Sequence, residues 1–463
     1  MSAPVLWIGL PLAAAVGLFF ARKREHLVIV LAGILCFLLA AIALLVPIAS
    51  LVQIGPLSFE IPDTLTILGR RLVLENGSRT LLALIYITAG FWLLGSGVAR
   101  TNRLFVPFSL LMVALLVAVA AVEPFLYAAL LVEMAVLVSI PMLAPPGRPF
   151  GQGVLRYLIF QTLALPFILL AGWSLASIEA NPSNQTLYLQ AEVFLGLGLA
   201  FWLAVFPFYT WIPLLLEQSH PYIAGFIVTM LSTVILHFML NYLDTFAWLR
   251  ASQLFYTGLE LVGAIMVGTA GIWAAFQRNL SRLMGYAVIL ETGFALVAVS
   301  LGIGAQLNIF AQMFLPRIVG LATWALALSI LQRQPGFRGF SNIEGLLRRA
   351  PLAGAISLVA YFSLGGLPLL AGFPVRLVLM ETLASQSPLA AFWLLAGNLG
   401  YLIGGLRALA LMAQGDEPYQ ISETRTQVVM LIVGALLLVI IGLLPGLFLP
   451  GLNELLATFP RLR

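Results

Sequence analysis

Charged residues are scarce in this sequence of 463 amino acids. Only 9% of the residues are Asp, Glu, Lys or Arg, whereas 62% are hydrophobic. Soluble domains carry about 25% charged residues, so most of this chain cannot face water. The composition excludes a large soluble enzyme and favours an integral membrane protein.

Cysteine and lysine are almost missing. Cys36 is the only cysteine, which excludes a disulfide scaffold and a cluster held by cysteines alone. No His, Cys, Asp or Glu residues have metal-ligand spacing, and no phosphate-binding loop follows a strand, so we expect neither a metal nor a cofactor. The net charge is +5, but the longest basic run is Arg22-Lys23-Arg24, so no nucleic acid is expected as a partner. Of the 23 basic residues, 22 are Arg and only Lys23 is Lys.

Long apolar runs recur along the whole chain. A transmembrane helix needs roughly 20 mostly apolar residues, and the runs predict an all-α polytopic membrane protein of about 14 transmembrane helices. We number them as spans 1 to 14, at 3–20, 28–53, 80–98, 104–122, 124–143, 154–176, 190–213, 221–243, 253–276, 283–303, 307–331, 351–383, 389–413 and 427–450. The longest connection, 54–79, contains Asn76-Gly77 and predicts a small surface hairpin.

The basic residues predict the orientation, because cytoplasmic loops carry an excess of Lys and Arg. The loops after even-numbered spans hold Arg70, Arg71, Arg79 and Arg250, and Arg461 and Arg463 follow span 14. The loops after odd-numbered spans hold Arg22, Lys23, Arg24, Arg100, Arg103, Arg148, Arg278, Arg282, Arg333, Arg338, Arg348, Arg349 and Arg425. We therefore expect a bacterial-type inner or plasma membrane protein with both termini outside.

Matching residues recur at an offset of about 160 residues, which is typical of transporter folds with internal repeats. Glu133 corresponds to Glu291, Arg156 to Arg317, Pro207 to Pro368 and Pro213 to Pro374. The offset predicts two inverted five-helix repeats, spans 4–8 and 9–13, in which proline breaks spans 7 and 12. The expected units are helices 1–3 with the hairpin (1–103), the two repeats (104–250 and 251–413) and helix 14 (414–463).

Ionisable residues inside the spans are the functional candidates, since a charge at the bilayer centre costs about 2.5–3.5 kcal/mol on insertion scales. They form either a proton or cation pathway or buried Arg–Glu pairs that only fix the packing. His237 in span 8 is either a packed histidine or a relay member. The pathway candidates are Glu133, Glu291, Arg317, Arg376, Glu381 and His237.

Four segments resemble one known family. These are FPFYTWIP at 206–213 with EQSHP at 217–221, QRNLSRLMGY at 277–286, GLPLLAGFPVR at 366–376, and Glu133 in span 5. They resemble the antiporter-like subunits of respiratory complex I and of Mrp cation/proton antiporters. The resemblance implies fourteen helices with inverted repeats, and a place beside other membrane subunits in the lipid bilayer.

The departures from the family concern its buried lysines, which the resemblance implies to be proton carriers. The span-7 lysine position is Trp202 here, and the span-8 position is Ser232. Arg317 and Arg376 stand at positions where relatives have Lys, or in span 12 Lys or Glu, and Arg keeps its proton in proteins. The usual lysine relay is therefore absent, and we expect any flux to use Glu133, Glu291 and water.

Four hypotheses follow for function. The first is a membrane subunit of a complex-I-like, redox-driven pump for protons or Na⁺, without a catalytic centre of its own. The second is a non-transporting scaffold subunit with a degenerate channel. The third is an antiporter-like partner in a membrane hydrogenase or an inorganic-carbon uptake complex. The fourth is a standalone solute transporter.

Overall fold

A computed structural model describes residues 2–54, 57–67, 69–145, 147, 150–334, 337, 343–414 and 422–462. Arg148, Arg338 and Arg463, which entered the orientation prediction, lie outside the described residues.

The described chain is almost entirely helical. A π-helical turn, Val5–Gly9, runs directly into the first α-helix. The helices are α1 Leu10–Phe20, α2 Glu25–Leu45, α3 Arg79–Ala99, α4 Phe105–Ala121, α5 Ala128–Leu143, α6 Gln152–Ala180, α7 Gln185–Trp202, α8 Trp211–Gln218, α9 Pro221–Thr245, α10 Ala247–Arg250, α11 Gln253–Phe276, α12 Leu280–Ser300, α13 Leu307–Leu331, α14 Leu346–Arg349, α15 Pro351–Leu364, α16 Phe373–Gln386, α17 Pro388–Ala413, α18 Arg425–Leu443 and α19 Leu449–Asn453. Within the described ranges, nine helices are long and apolar enough to cross a membrane, and four shorter helical segments are also apolar.

Between α2 and α3 the chain forms short antiparallel strand pairs, one of which is a hairpin within the predicted connection 54–79. β1 (Leu51–Ile54) pairs antiparallel with β2 (Leu57–Glu60), and β3 (Thr64–Ile67) pairs antiparallel with β4 (Arg70–Val73). A two-residue strand, β5 (Val122–Glu123), joins the edge of β4. Asn76 and Gly77 are not the hairpin turn that the sequence indicated, because they form a 3-10 turn before α3. A Cβ on Gly77 would lie 2.9 Å from the Ala457 carbonyl oxygen, so the close contact requires glycine here.

Two predicted spans end earlier than expected. Helix α2 stops at Leu45, not at 53, because Pro47 forces Val46 into an extended conformation. Helix α18 stops at Leu443, not at 450, and Pro445 opens a 3-10 turn just beyond it. In both cases a proline ends the helix although the apolar composition continues.

Two helices are interrupted near their prolines. The chain leaves helical structure between Trp202 and Phe208, around Pro207, and again between Leu364 and Phe373, around Pro368. Pro213 and Pro374 lie inside the first turn of α8 and α16, where a missing N–H breaks no helical hydrogen bond.

The carbonyls freed at both breaks are bonded by amide side chains. Gln161 donates to the Trp202 carbonyl at 3.2 Å, and Asn398 donates to the Gly365 carbonyl at 2.9 Å. Protein groups therefore replace the helical donors that water cannot supply in a bilayer.

The helices connect at two opposite faces. The face that we call the His220 face carries the α8–α9 and α11–α12 connections, which are joined by Glu217 and Arg282. The opposite face, which we call the Thr245 face, carries the ends of α9 and α12 and the start of α13. There, Arg461 donates its backbone N–H to Asp244, and Gly304 donates to the Leu462 carbonyl.

Burial divides the helices into a core and a periphery. Helices α9, α12 and α13 are buried along most of their length. The peripheral helices instead expose large apolar side chains, among them Phe276, Trp173 and Leu389. Exposed apolar surface on this scale needs lipid or protein to cover it. The chain is an integral membrane protein whose core helices are shielded by a ring of outer helices.

Candidate functional site

Glu291 lies in the middle of a buried helix. It is midway along α12, and its side chain is buried between neighbouring helices. An isolated carboxylate in such a place would be strongly destabilised, so its partners determine whether it can hold a charge.

The partner is Arg376 on the far side of the second helix break. Its Nη2 donates to Glu291 Oε1 at 2.5 Å, and both side chains are 7% or less exposed. Nη1 donates to Asn398 Oδ1 at 2.7 Å, and the guanidinium lies 4.0 Å from the centroid of the Phe294 ring. Arg376 is thus a fixed positive charge with an ion-pair, an amide and an aromatic contact.

The helix break makes room for this arginine. Gly366 has a φ of +71°, in the left-handed region that favours glycine, and a Cβ at this position would lie 2.5 Å from Arg376 Cδ. The turn between α15 and α16 therefore brings its backbone directly against the arginine stem. A continuous helix could not place Gly366 and Arg376 in this contact.

A second buried guanidinium lies on α13. Arg317 is 2% exposed, and its Nη2 donates to Ser232 Oγ at 2.7 Å and to Thr292 Oγ1 at 3.2 Å. Its Nε and Nη1 have no hydrogen-bond partner among the described protein atoms. Arg317 and Glu291 line one small cavity, together with Phe310 and Phe314.

These groups form one polar chain between α9 and α17. Hydrogen bonds join Ser232 to Arg317 at one end and join Glu291, Arg376 and Asn398 at the other, and the two parts are linked by the cavity that Arg317 and Glu291 both line. Two guanidinium groups and one carboxylate give the chain a net positive charge if all three are ionised. Such an arrangement places two fixed positive charges near one carboxyl group, so movement of either arginine changes the electrostatic potential at Glu291.

Glu133, on α5, does not join this chain. Its Oε1 accepts a hydrogen bond from Thr162 at 2.8 Å, and Oε2 is buried without a hydrogen-bond partner. Within the described residues, no salt bridge involves Glu133. Arg156, the counterpart of Arg317 by sequence offset, is exposed on α6.

The two remaining ionisable candidates also lie apart. Glu381 is exposed on α16, so it faces the surroundings of the bundle. His237 is buried near the Thr245 end of α9, and its ring centroid is 4.7 Å from that of Phe459. The structure therefore brings together Glu291, Arg317 and Arg376, but not Glu133, Glu381 or His237.

Two of the segments that carry the family resemblance meet at the His220 face. Glu217 accepts hydrogen bonds from Asn279 at 3.1 Å and from Arg282 at 2.7 Å, so the EQSHP and QRNLSR segments contact each other directly. In the adjacent connection between α8 and α9, burial and the nearby Arg333 lower the pKa of His220 to about 4.

Comparison with known proteins identifies the family. The sequence model of the family described as "NADH:quinone oxidoreductase/Mrp antiporter, TM" matches residues 154–403, more than half of the chain. The chain belongs to this family.

Curated relatives support the assignment over most of the length. NADH-quinone oxidoreductase subunit 14 of Thermus thermophilus is 29% identical over 327 residues, which cover 68% of this chain and 72% of the relative. Subunit 13 of the same organism is 27% identical over 406 residues, covering 82% and 84%. A chain of the Mrp complex from Dietzia sp. DQ12-45-1b has the same fold, with a TM-score of 0.79 at 15% identity over 99% of this chain and 97% of that chain.

In this antiporter-like chain, the two positions expected to hold lysine are filled without a titratable group. Trp202 is 3% exposed and packs edge-on against Phe238 at 5.7 Å. Ser232 donates to the Val228 carbonyl at 2.5 Å and accepts from Arg317. The Arg317 guanidinium therefore reaches the span-8 lysine position from another helix.

Sequence reasoning about this family member missed Asn398, Thr292 and Phe294, which contact the two buried arginines. A threonine or a phenylalanine in an apolar helix carries no distinct pattern. Only Asn398 offered a signal, as a polar residue within the apolar run of span 13.

Proposed function

We propose that this chain is a membrane subunit of a complex-I-like, redox-driven multisubunit pump, and that its second half takes part in proton translocation. The observation that carries the proposal is the buried Glu291–Arg376 pair with Arg317 on the same cavity. Glu291 is the group in this chain of contacts that can release and bind a proton, because Arg keeps its own.

The two arginines set the conditions for that exchange. A nearby positive charge favours the ionised carboxylate, whereas burial favours the protonated one. A change in the distance between Glu291 and either arginine would alter this balance and so drive uptake or release. The matched relatives are named as subunits of NADH-quinone oxidoreductases, so we propose that electron transfer in another subunit drives the change.

We propose the topology from the distribution of the basic residues. The loops after odd-numbered spans are rich in Arg, and Arg282 of one such loop lies at the His220 face, so we assign that face to the cytoplasm of a bacterial-type inner membrane and both termini to the outside. The two five-helix repeats, spans 4–8 and 9–13, remain the proposed division of the transport domain. Protons are the proposed ion, and Na⁺ is the alternative.

Glu291→Gln in the assembled complex tests the proposal. Glutamine keeps the shape of the side chain and removes the exchangeable carboxyl proton. We expect less proton uptake per NADH oxidised by inside-out vesicles, measured with a pH-sensitive dye. Glu381→Gln is the matched control, because Glu381 is exposed on α16, and it should pump as the wild type does.

The main rival is a scaffold subunit without flux, which Trp202 and the unpaired Oε2 of Glu133 favour. Normal pumping by an assembled Glu291→Gln complex would support the scaffold and reject Glu291 as a proton carrier. The subunits that copurify with the chain would distinguish an oxidoreductase from a hydrogenase or a carbon-uptake complex.

A further inference from the structure

A short segment beyond α18 folds back over the Thr245 face. Residues 449–462, which we call the plug segment, form α19 and a 3-10 helix over Glu454–Thr458. Leu455, Leu456, Phe459 and Leu462 of this segment are each 4% or less exposed. The plug segment is therefore inserted between the helix ends and does not merely lie on the surface.

Hydrogen bonds tie the plug segment to three parts of the Thr245 face. The turn before α3, the end of α9 and the connection before α13 each supply one partner. The bonds are Thr458 Oγ1 to the Gly77 carbonyl at 3.0 Å, Arg461 N to Asp244 Oδ1 at 2.8 Å, and Gly304 N to the Leu462 carbonyl at 2.8 Å. The segment thus spans the gap between the ends of α3, α9 and α13.

His237 lies directly beneath the plug segment. Its ring and that of Phe459 are 4.7 Å apart, and both side chains are buried. His237 is eight residues before the end of α9, so it lies about 12 Å inside the Thr245 face. A small cavity contains both rings, and Phe310 and Phe314 of α13 line its inner side.

The same two phenylalanines line the cavity of Arg317 and Glu291. They lie one and two helical turns from Arg317 on α13, towards the Thr245 face. On α9, Leu236 lines the inner cavity and His237 the outer one. The two cavities are therefore neighbours that share Phe310 and Phe314 in their linings, and the centroids of these two rings are 5.0 Å apart.

We propose that protons pass between the Glu291–Arg317 cavity and the Thr245 face through His237, and that Phe459 of the plug segment closes the outer end of this route. An imidazole can bind a proton on one nitrogen and release one from the other. A buried apolar ring over it excludes water and so blocks conduction, as hydrophobic constrictions do in channels. The inference rests on the proposed function, to which it adds a proton route through His237 and the closure of that route by Phe459.

Phe459→Ala in the assembled complex is the decisive variant. Membrane vesicles without NADH receive a sudden pH step in the presence of valinomycin and K⁺, and a trapped dye reports passive proton entry. We expect entry several-fold faster than in wild-type vesicles, because removal of the ring opens the route to water. Adding His237→Gln to Phe459→Ala should return the rate close to that of the wild type.

Leu452→Ala is the matched control, since Leu452 is a buried residue of the same segment that lines a different cavity. It should not leak. Phe459→Leu and Phe459→Val extend the test if the alanine variant fails to assemble, and their leak should increase as the side chain becomes smaller.

Two outcomes would overturn the inference. Assembled Phe459 variants that stay as tight as the wild type would show that the plug segment closes nothing. A leak that persists unchanged with His237→Gln would remove the histidine from the route. Neither result would affect the pumping test of Glu291→Gln, so the two proposals can fail separately.

Discussion

At the residue scale, two buried arginines lie near the Glu291 carboxylate, but only Arg376 forms an ion pair with it. Arg376 bonds Glu291 directly, whereas Arg317 lines the same cavity and has two nitrogens without a hydrogen-bond partner in the described part of the chain. Removal of one member of a buried ion pair usually costs about 3–5 kcal/mol, because the other charge is left uncompensated. Because the site holds two arginines and one glutamate, we expect the free-energy cost of removing Glu291 to differ from the cost of removing Arg376.

We therefore predict an asymmetric double-mutant cycle. Arg376→Gln leaves Glu291 with Arg317 nearby, whereas Glu291→Gln leaves two buried cations without a counter-ion. Glu291→Gln should lower the thermal midpoint of the purified protein in nanodiscs more than Arg376→Gln does. The double variant should be more stable than Glu291→Gln alone. Equal effects that simply add would show that the pair and Arg317 are not coupled.

His220 provides a prediction about pH. Its folded-state pKa is about 4, below the usual 6.5, because burial and Arg333 disfavour the imidazolium. Between these values the unfolded chain binds more protons, so His220 should destabilise the fold as the pH falls from about 6.5 to 4. The full loss is roughly 3 kcal/mol.

Thermal midpoints across this pH range, compared between the wild type and His220→Asn, measure the contribution. The difference should widen towards acid in favour of the variant and should vanish above about pH 7. A constant offset would assign the effect to packing instead of protonation.

At the element scale, the helix breaks around Pro207 and Pro368 allow polar groups to lie between otherwise apolar helices. Pro207 and Pro368 could be recognised in the sequence as breaks because proline cannot continue a helix. The contacts that form at the second break could not be predicted from the sequence. They depend on Gly366 adopting a φ of +71° against the Arg376 stem, and on Asn398 reaching the freed Gly365 carbonyl from a different helix.

Gly366→Ala tests this close approach. A Cβ would lie 2.5 Å from Arg376 Cδ and would also be strained by the positive φ. We expect a loss of about 1–3 kcal/mol, as for other overpacked sites, together with reduced pumping because Arg376 must move. Gly196→Ala on α7 is a suitable control, since a Cβ there meets nothing within 4 Å. Unchanged stability and pumping in Gly366→Ala would mean that the turn adapts without moving the arginine.

At the scale of the whole molecule, the sequence predicted the membrane class and the family, but it did not predict the partners of the buried charges. Mid-span charges are rare and therefore conspicuous, whereas partners such as Thr292 and Phe294 are common in any apolar helix. The equivalence of Glu133 and Glu291 by sequence offset also hides a physical difference. Within the described residues, Glu291 bonds an arginine, whereas Glu133 bonds only Thr162.

This difference predicts unequal contributions from the two halves. If the second half alone carries protons, Glu133→Gln should keep most of the proton uptake per NADH oxidised, whereas Glu291→Gln should not. The Glu133→Gln/Glu291→Gln double variant should then pump no less than Glu291→Gln alone, because no independent route remains to be lost. A further loss in the double variant would instead indicate two parallel routes. In that case the first half would transfer protons through Glu133 even though Trp202 occupies its lysine position.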